Sequence, residues 1–193
     1  MLYCNLKGGL GNMMFQIAAV NSLANDCGTK ASFPNIFTHL DYLNKEKSFN
    51  AALDHSLDYL SFLSPLRYQP PPRSLPTVKF PLHYENKSIS TDCWVDGFFQ
   101  SERYFVHNRE SILNLFRETE QGNRAYEKYF AKNIGTTISI HVRRGDYLKL
   151  PNHHPISPMS YYEKAIGKMG AFDRALVFSD DVEWCKANFK DSR

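Results

Sequence analysis

An α/β fold built on parallel sheets is what this sequence predicts, on three observations. The opening residues read as strand, glycine turn and helix; later stretches alternate β-branched or aromatic runs with helical patterns; and polar or glycine-rich segments follow the ends of the strand-like runs.

Taken in order, Leu2-Tyr3-Cys4-Asn5-Leu6 can run extended, Gly8-Gly9-Leu10-Gly11 must turn, and Phe15, Ala18, Ala19, Ser22 and Leu23 recur at helical spacing. Gly28 stops that helix. Lys30-Ala31-Ser32-Phe33, before Pro34, predicts a second strand and completes a βαβ-like unit. Residues 41–66 carry a weaker helical pattern. Gln69-Pro70-Pro71-Pro72-Arg73-Ser74-Leu75-Pro76 is a loop, because proline lacks the amide donor and fixes φ; it reads as a rigid connector or as a proline-rich ligand for another domain. Cys93-Trp94-Val95-Asp96-Gly97-Phe98-Phe99 has strand composition. Ser101-Glu102-Arg103 opens a helix with Tyr104, Phe105, Ile112, Leu115 and Phe116 on one apolar face, an aromatic cluster that reads as core.

A helix over residues 125–132 leads to Thr136-Thr137-Ile138-Ser139-Ile140-His141-Val142, a β-branched run typical of a buried strand. Arg143-Arg144-Gly145-Asp146-Tyr147 and a polar loop follow. Ser157 and Pro158 then read as N-cap and first residue of a helix to about Met169. Arg174-Ala175-Leu176-Val177-Phe178 is a strand ending at Ser179-Asp180-Asp181, and residues 182–189 form the next helix. The tail is half of a Rossmann-like sheet.

With 193 residues, 42% hydrophobic and 14% aromatic, the chain can build one core or two small lobes, which excludes a disordered tail. A net charge of +3 is too small and dispersed for a nucleic-acid binder. Cys4, Cys27, Cys93 and Cys185 lie far apart with no C-x-x-C spacing, so neither a zinc site nor a disulfide framework is expected, and a reducing compartment fits. No apolar run approaches the roughly 18 to 20 residues of a membrane span, and the opening residues lack the basic region, apolar stretch and small-residue cleavage site expected of a signal peptide. The expectation is a cytoplasmic protein, with peripheral membrane association left open.

In open parallel sheets, ligands bind beyond the carboxyl ends of the strands. Gly8 to Asn12, Arg143 to Asp146 and Ser179 to Asp181 occupy such ends. Adjacent arginines offer planar forks suited to phosphate oxygens, whereas paired aspartates accept from ribose hydroxyls or base N–H groups. The same residues suit an ordinary ion-pair cluster, Arg143 and Arg144 against Asp146 and Asp180, and Ser179-Asp180-Asp181 suits a helix cap. Spacing alone leaves both readings open. A dinucleotide fingerprint fails, since Met14 stands at the third glycine position of G-x-G-x-x-G and no acidic residue follows near Phe33; a P-loop is absent too. His153-His154 lack a third metal-ligand type in pattern and read as solvent-exposed.

Taken together, Lys7-Gly8-Gly9-Leu10-Gly11-Asn12-Met13-Met14-Phe15-Gln16-Ile17-Ala18, Gly97-Phe98-Phe99-Gln100-Ser101-Glu102-Arg103-Tyr104-Phe105, His141-Val142-Arg143-Arg144-Gly145-Asp146-Tyr147 and Phe178-Ser179-Asp180-Asp181 resemble the bacterial α-1,2-fucosyltransferases of glycosyltransferase family 11. The resemblance implies a GT-B-like architecture of two Rossmann-like lobes: an N-terminal lobe over residues 1–133 carrying the glycine loop on the acceptor side, and a donor-binding lobe over 134–193. It implies GDP-fucose as donor, a galactose-terminated glycan as acceptor, inversion at the anomeric carbon, no cofactor and no metal. Arg143 and Arg144 resemble the residues that hold the diphosphate, His141, Asp180 and Asp181 those that face the guanosine, and Gly11 and Asn12 a donor contact from the other lobe. Guanidiniums placed in this way stabilise the GDP leaving group electrostatically. Asp146 is a candidate base for the acceptor hydroxyl, or the group that orients an arginine.

Met13 stands where the family usually has glutamine and Ile17 where it has tyrosine, departures that bear on acceptor contacts or supporting hydrogen bonds. The family's later Trp-Trp-Gly block has no counterpart before Arg193, so the donor lobe is expected to be incomplete, C-terminally truncated, with an exposed apolar edge. An inactive remnant that binds GDP-sugar or glycan without transfer is the alternative expectation.

Overall fold

Short hydrophobic strands and glycine punctuation set the elements of the computed structural model, which describes residues 1–36, 38, 70–116, 120, 123, 124, 127, 135–152 and 154–189. These belong to two units, Met1–Arg124 and Ala125–Arg193. Both are α/β, and every strand pair among the described residues is parallel.

In the first unit, β1 (Leu2–Tyr3) pairs with β2 (Ala31–Ser32) on one side and with β4 (Cys93–Asp96) on the other; β3 (Thr77–Lys79) pairs with β4 at the edge. Leu2 lies opposite both Ala31 and Cys93. Helix α1 (Leu10–Asp26) buries Met13, Ile17, Ala19, Val20 and Ala24 in the same cluster as Leu2, Phe33, Val95 and Phe99; its small residues allow close packing. Burying a large apolar side chain such as Phe33 or Phe99 stabilises by about 1.5–3 kcal/mol. Gly28 ends α1 at φ +61°, a left-handed conformation that glycine adopts without a Cβ clash.

The structure differs from the sequence expectation in three places here. The strand expected over Cys93 to Phe99 stops at Asp96, where Gly97 packs so closely on Phe80 that a Cβ would approach to 2.9 Å. The single helix expected from Ser101 is instead two 3₁₀ turns, Glu102–Tyr104 and Val106–Asn108, before α2 (Arg109–Leu115). Phe105, at φ −142° and ψ 0°, breaks the α-helical path between them, and Tyr104 packs edge-on against Phe80 and Phe99. Strand β3 was not anticipated. Residues 70–76 are irregular, whereas the helix expected over 41–66 lies outside the described residues, as does that over 125–132 apart from residue 127.

In the second unit, β5 (Thr137–Val142) pairs with β6 (Arg174–Ser179) over six residues, from Thr137 opposite Arg174 to Val142 opposite Ser179. Ile138, Ile140 and Val142 are buried with Tyr162 of α3 (Met159–Lys168) and Cys185 of α4 (Val182–Asn188). The opposite face pairs His141 with Phe178, which is 50% exposed. Pro158, extended at ψ 160°, occupies the cap position of α3 and accepts from Tyr161 N–H through its carbonyl at 2.9 Å, so the helix starts later than the expected cap at Ser157.

Candidate functional site

The carboxyl ends of β5 and β6 bring Arg143, Arg144, Asp146, Asp180 and Asp181 together. Val142 and Ser179 are opposed at the end of the ladder, so the loops that leave them run side by side. The Arg144 guanidinium, largely buried, donates from Nε to Asp181 Oδ2 at 3.0 Å and lies over the Trp184 ring at 4.1 Å. Its backbone N–H donates to Asp180 Oδ1 at 2.8 Å. Glycine at 145 keeps that contact open, since a Cβ there would come within 2.8 Å of Asp180 Oδ2. Asp181 uses its other oxygen to cap α4, accepting from Trp184 N–H at 3.1 Å. The hydrogen bond from Arg144, and then that from Trp184, hold its carboxyl below the usual carboxylate range.

Arg143 is more open. Its Nε and Nη2 grip the Asp146 carboxylate at 3.0–3.3 Å, while its face covers the Tyr147 ring at 4.8 Å. Tyr147 stacks in turn on His154 at 4.4 Å. The Arg143 hydrogen bond lowers the Asp146 pKa and raises that of Arg143. The ion-pair alternative is therefore realised with one change of partner: Arg144 takes Asp181 as its side-chain partner, and Asp180 serves the loop backbone. His141 is exposed near the end of β5. His154 is an exposed stacking residue; His153 lies outside the described residues.

In the first unit, Gly11 and Asn12 open α1 beside the ends of β1 and β4. Gly8, at φ +77°, leaves room for Asn12, whose Nδ2 a Cβ would meet at 2.5 Å. Gln100 Nε2 donates to Asn12 Oδ1 at 2.6 Å. Gln16, fully buried, fixes the loop from beneath: its Nε2 donates to the carbonyls of Lys7 (2.8 Å) and Asn12 (3.0 Å), and its Oε1 accepts from Lys7 N–H (3.1 Å). Lys7 pairs with Asp96 and lies over the Phe98 ring at 5.0 Å.

Sequence reasoning missed the contribution of Lys7, Gln16, Asp96 and Gln100. The signal for Lys7 and Asp96 was a polar residue at or just past a strand end; their pairing spans 89 positions and leaves no local pattern. Met13 and Ile17 are 0% and 1% exposed, so these departures from the family pattern are packing changes within the core rather than acceptor contacts.

Ser22, His107 and Asp26 also meet, with Ser22 Oγ 3.4 Å and Asp26 Oδ2 2.9 Å from the same His107 Nε2. A nucleophile relay uses both ring nitrogens, so this cluster ties α1 to the turn before α2. Among the described residues no group of three or more His, Cys, Asp or Glu is disposed to hold a metal, and no helix is long and apolar enough to cross a membrane.

The profile of Glycosyl transferase family 11 matches residues 78–193. An Escherichia coli protein named Alpha-1,2-colitosyltransferase is 29% identical over 200 residues, covering 94% of this chain and 69% of the relative. The Escherichia coli O-antigen biosynthesis glycosyltransferase WbnK is 29% identical over 228 residues, covering 97% and 75%. Galactoside alpha-(1,2)-fucosyltransferase 1 of Bos taurus is 26% identical over 206 residues, covering 97% and 53%. No solved structure matches significantly.

Proposed function

The chain belongs to glycosyl transferase family 11, and from that premise we propose that it transfers L-fucose from GDP-fucose to the 2-hydroxyl of a terminal galactose on a glycan, with inversion and without a metal. The names of the relatives support an α-1,2 transferase of this kind. The two α/β units are read as the acceptor-side and donor-side lobes of a GT-B enzyme. The observation that carries the proposal is the pair of carboxylate-held guanidiniums at the end of β5.

Cleavage of the sugar–phosphate bond builds negative charge on GDP, and guanidiniums fixed beforehand stabilise it with little reorganisation. Arg144, clamped between Asp181 and Trp184, supplies a fixed positive wall. Arg143 is the more exposed partner: it engages Asp146 through Nε and Nη2, and its Nη1 takes no part in that pair. Both oxygens of Asp146 accept from Arg143, and its proton affinity is lowered. That supports the orienting role for Asp146 over the role of base. Asp180, Asp181 and His141 border the guanosine.

The test is a turnover assay with GDP-fucose and lactose, with and without EDTA. Fucosyllactose is expected in both, and Arg143→Lys is expected to lower kcat/KM by about 10- to 150-fold, the equivalent of one charge-assisted fork bond of roughly 1.5–3 kcal/mol. Unchanged turnover in that variant removes Arg143 from the mechanism. GDP binding without transfer selects the remnant reading instead. Because one relative is named for colitose, the assay includes a GDP-colitose arm.

A further inference from the structure

We infer that Lys7, Asp96 and Phe98, bordered by Asn12 and Gln100, form a subsite in the first unit for a neutral pyranoside, the acceptor's galactose; this rests on the transferase reading proposed above. The position is chemically suited. Lys7 follows β1 and Asp96 closes the neighbouring parallel strand β4, so the pair occupies the carboxyl edge of the sheet, where ligands bind in such folds.

Four properties of the cluster point to a sugar. The side chains of Lys7 and Asp96 are 41% and 45% exposed, and an ion pair so open to water adds little to stability while leaving both groups accessible to hydroxyls. The pair is neutral, which suits a polyol better than a phosphate. Phe98 presents a partly exposed ring beneath the Lys7 ammonium at 5.0 Å, an apolar surface for the C–H face of a pyranose. Asn12 and Gln100 add amide groups that both donate and accept, already oriented by their mutual hydrogen bond.

The backbone supplies an independent observation. Phe99 adopts φ +53°, a left-handed conformation that is costly for an aromatic residue. It sends the Phe99 ring into the core, 1% exposed, and leaves Phe98 and Gln100 on the outer side of the turn. Strain of this kind concentrates at functional sites, where surrounding packing holds it in place. Here the Phe80 and Tyr104 rings do so, with centroids 5.0 and 5.1 Å from that of Phe99.

The test titrates the full chain with methyl β-D-galactopyranoside and, separately, with GDP, comparing wild type with Asp96→Asn and Phe98→Leu by saturation-transfer NMR and calorimetry. Both variants are expected to weaken galactoside binding at least tenfold and to leave the GDP Kd within twofold, which also shows that they are folded. If Asp96→Asn does not fold, Phe98→Leu decides alone. Unchanged galactoside affinity in the variants overturns the subsite, as does a wild type that binds GDP but no galactoside. A wild type that binds galactoside but not GDP leaves the subsite standing and removes the donor reading instead.

Discussion

The two units solve the same problem, holding polar loops at the ends of parallel strands, by different means. In the first unit the strands are very short, two residues each in β1 and β2, yet they lie in a wide core that includes Leu2, Phe33, Val95 and Phe99. In the second, β5 and β6 run for six residues each, but Val177 and Phe178 are 37% and 50% exposed. Strand length is therefore a poor guide to how firmly a site is held; burial behind the strand is the better one. The glycine loop hangs on a fully buried glutamine. The arginine loop hangs on ion pairs and ring contacts that are partly open to water. Packing controls the first site, and charge controls the second.

The largest contrast is expected from core truncation. Phe33→Ala should destabilise the first unit by about 3–5 kcal/mol through lost transfer energy and an unfilled cavity, whereas Phe178→Ala in the second should change stability by less than about 0.5 kcal/mol. Urea unfolding of both variants measures this, and equal losses break the comparison. Gln16→Leu comes next. It leaves the Lys7 N–H and carbonyl without their partner, a cost of about 1–3 kcal/mol, and amide exchange at Lys7 should speed up while the core stays protected.

The smallest effect is electrostatic and confined to the second unit. Asp146 and Asp181 both have pKa values below the free value of 3.8, so the stability their pairs contribute is present above that value and is lost as pH falls through the lowered ones. Carboxyl resonances followed by NMR should titrate at lower pH for both groups than for a free aspartate. Salt at about 1 M should loosen the Arg143–Asp146 pair, which is half exposed, more than the Arg144–Asp181 pair.

Much of this was legible in the sequence. Thr137-Ile138-Ser139-Ile140-His141-Val142 was readable as a strand, but the buried strand expected from its β-branched run is only half-buried: Thr137, Ser139 and His141 are exposed and alternate with the buried Ile138, Ile140 and Val142. Gly8 and Gly28 announced their turns, and both have positive φ. The break at Phe105 was hidden, since Tyr104, Phe105, Ile112 and Leu115 satisfy a helical period and only the aromatic cluster around Tyr104 overrides it. β3 escaped notice because its three residues, exposed or half-buried at an edge, carry no strong apolar pattern. Of the site, the arginines and aspartates were readable as neighbours in sequence. The Asp181 partner of Arg144 and the Asp96 partner of Lys7 depend on which strands the fold makes adjacent.

The most direct test of the central claim, that the loop after β5 holds a nucleoside diphosphate, is calorimetric titration of the full chain with GDP in EDTA, for wild type and Arg143→Ala. Metal-independent binding by the wild type is expected, weakened at least tenfold in the variant. Equal GDP affinity in the two proteins would contradict it, and so would a folded wild type that binds no GDP.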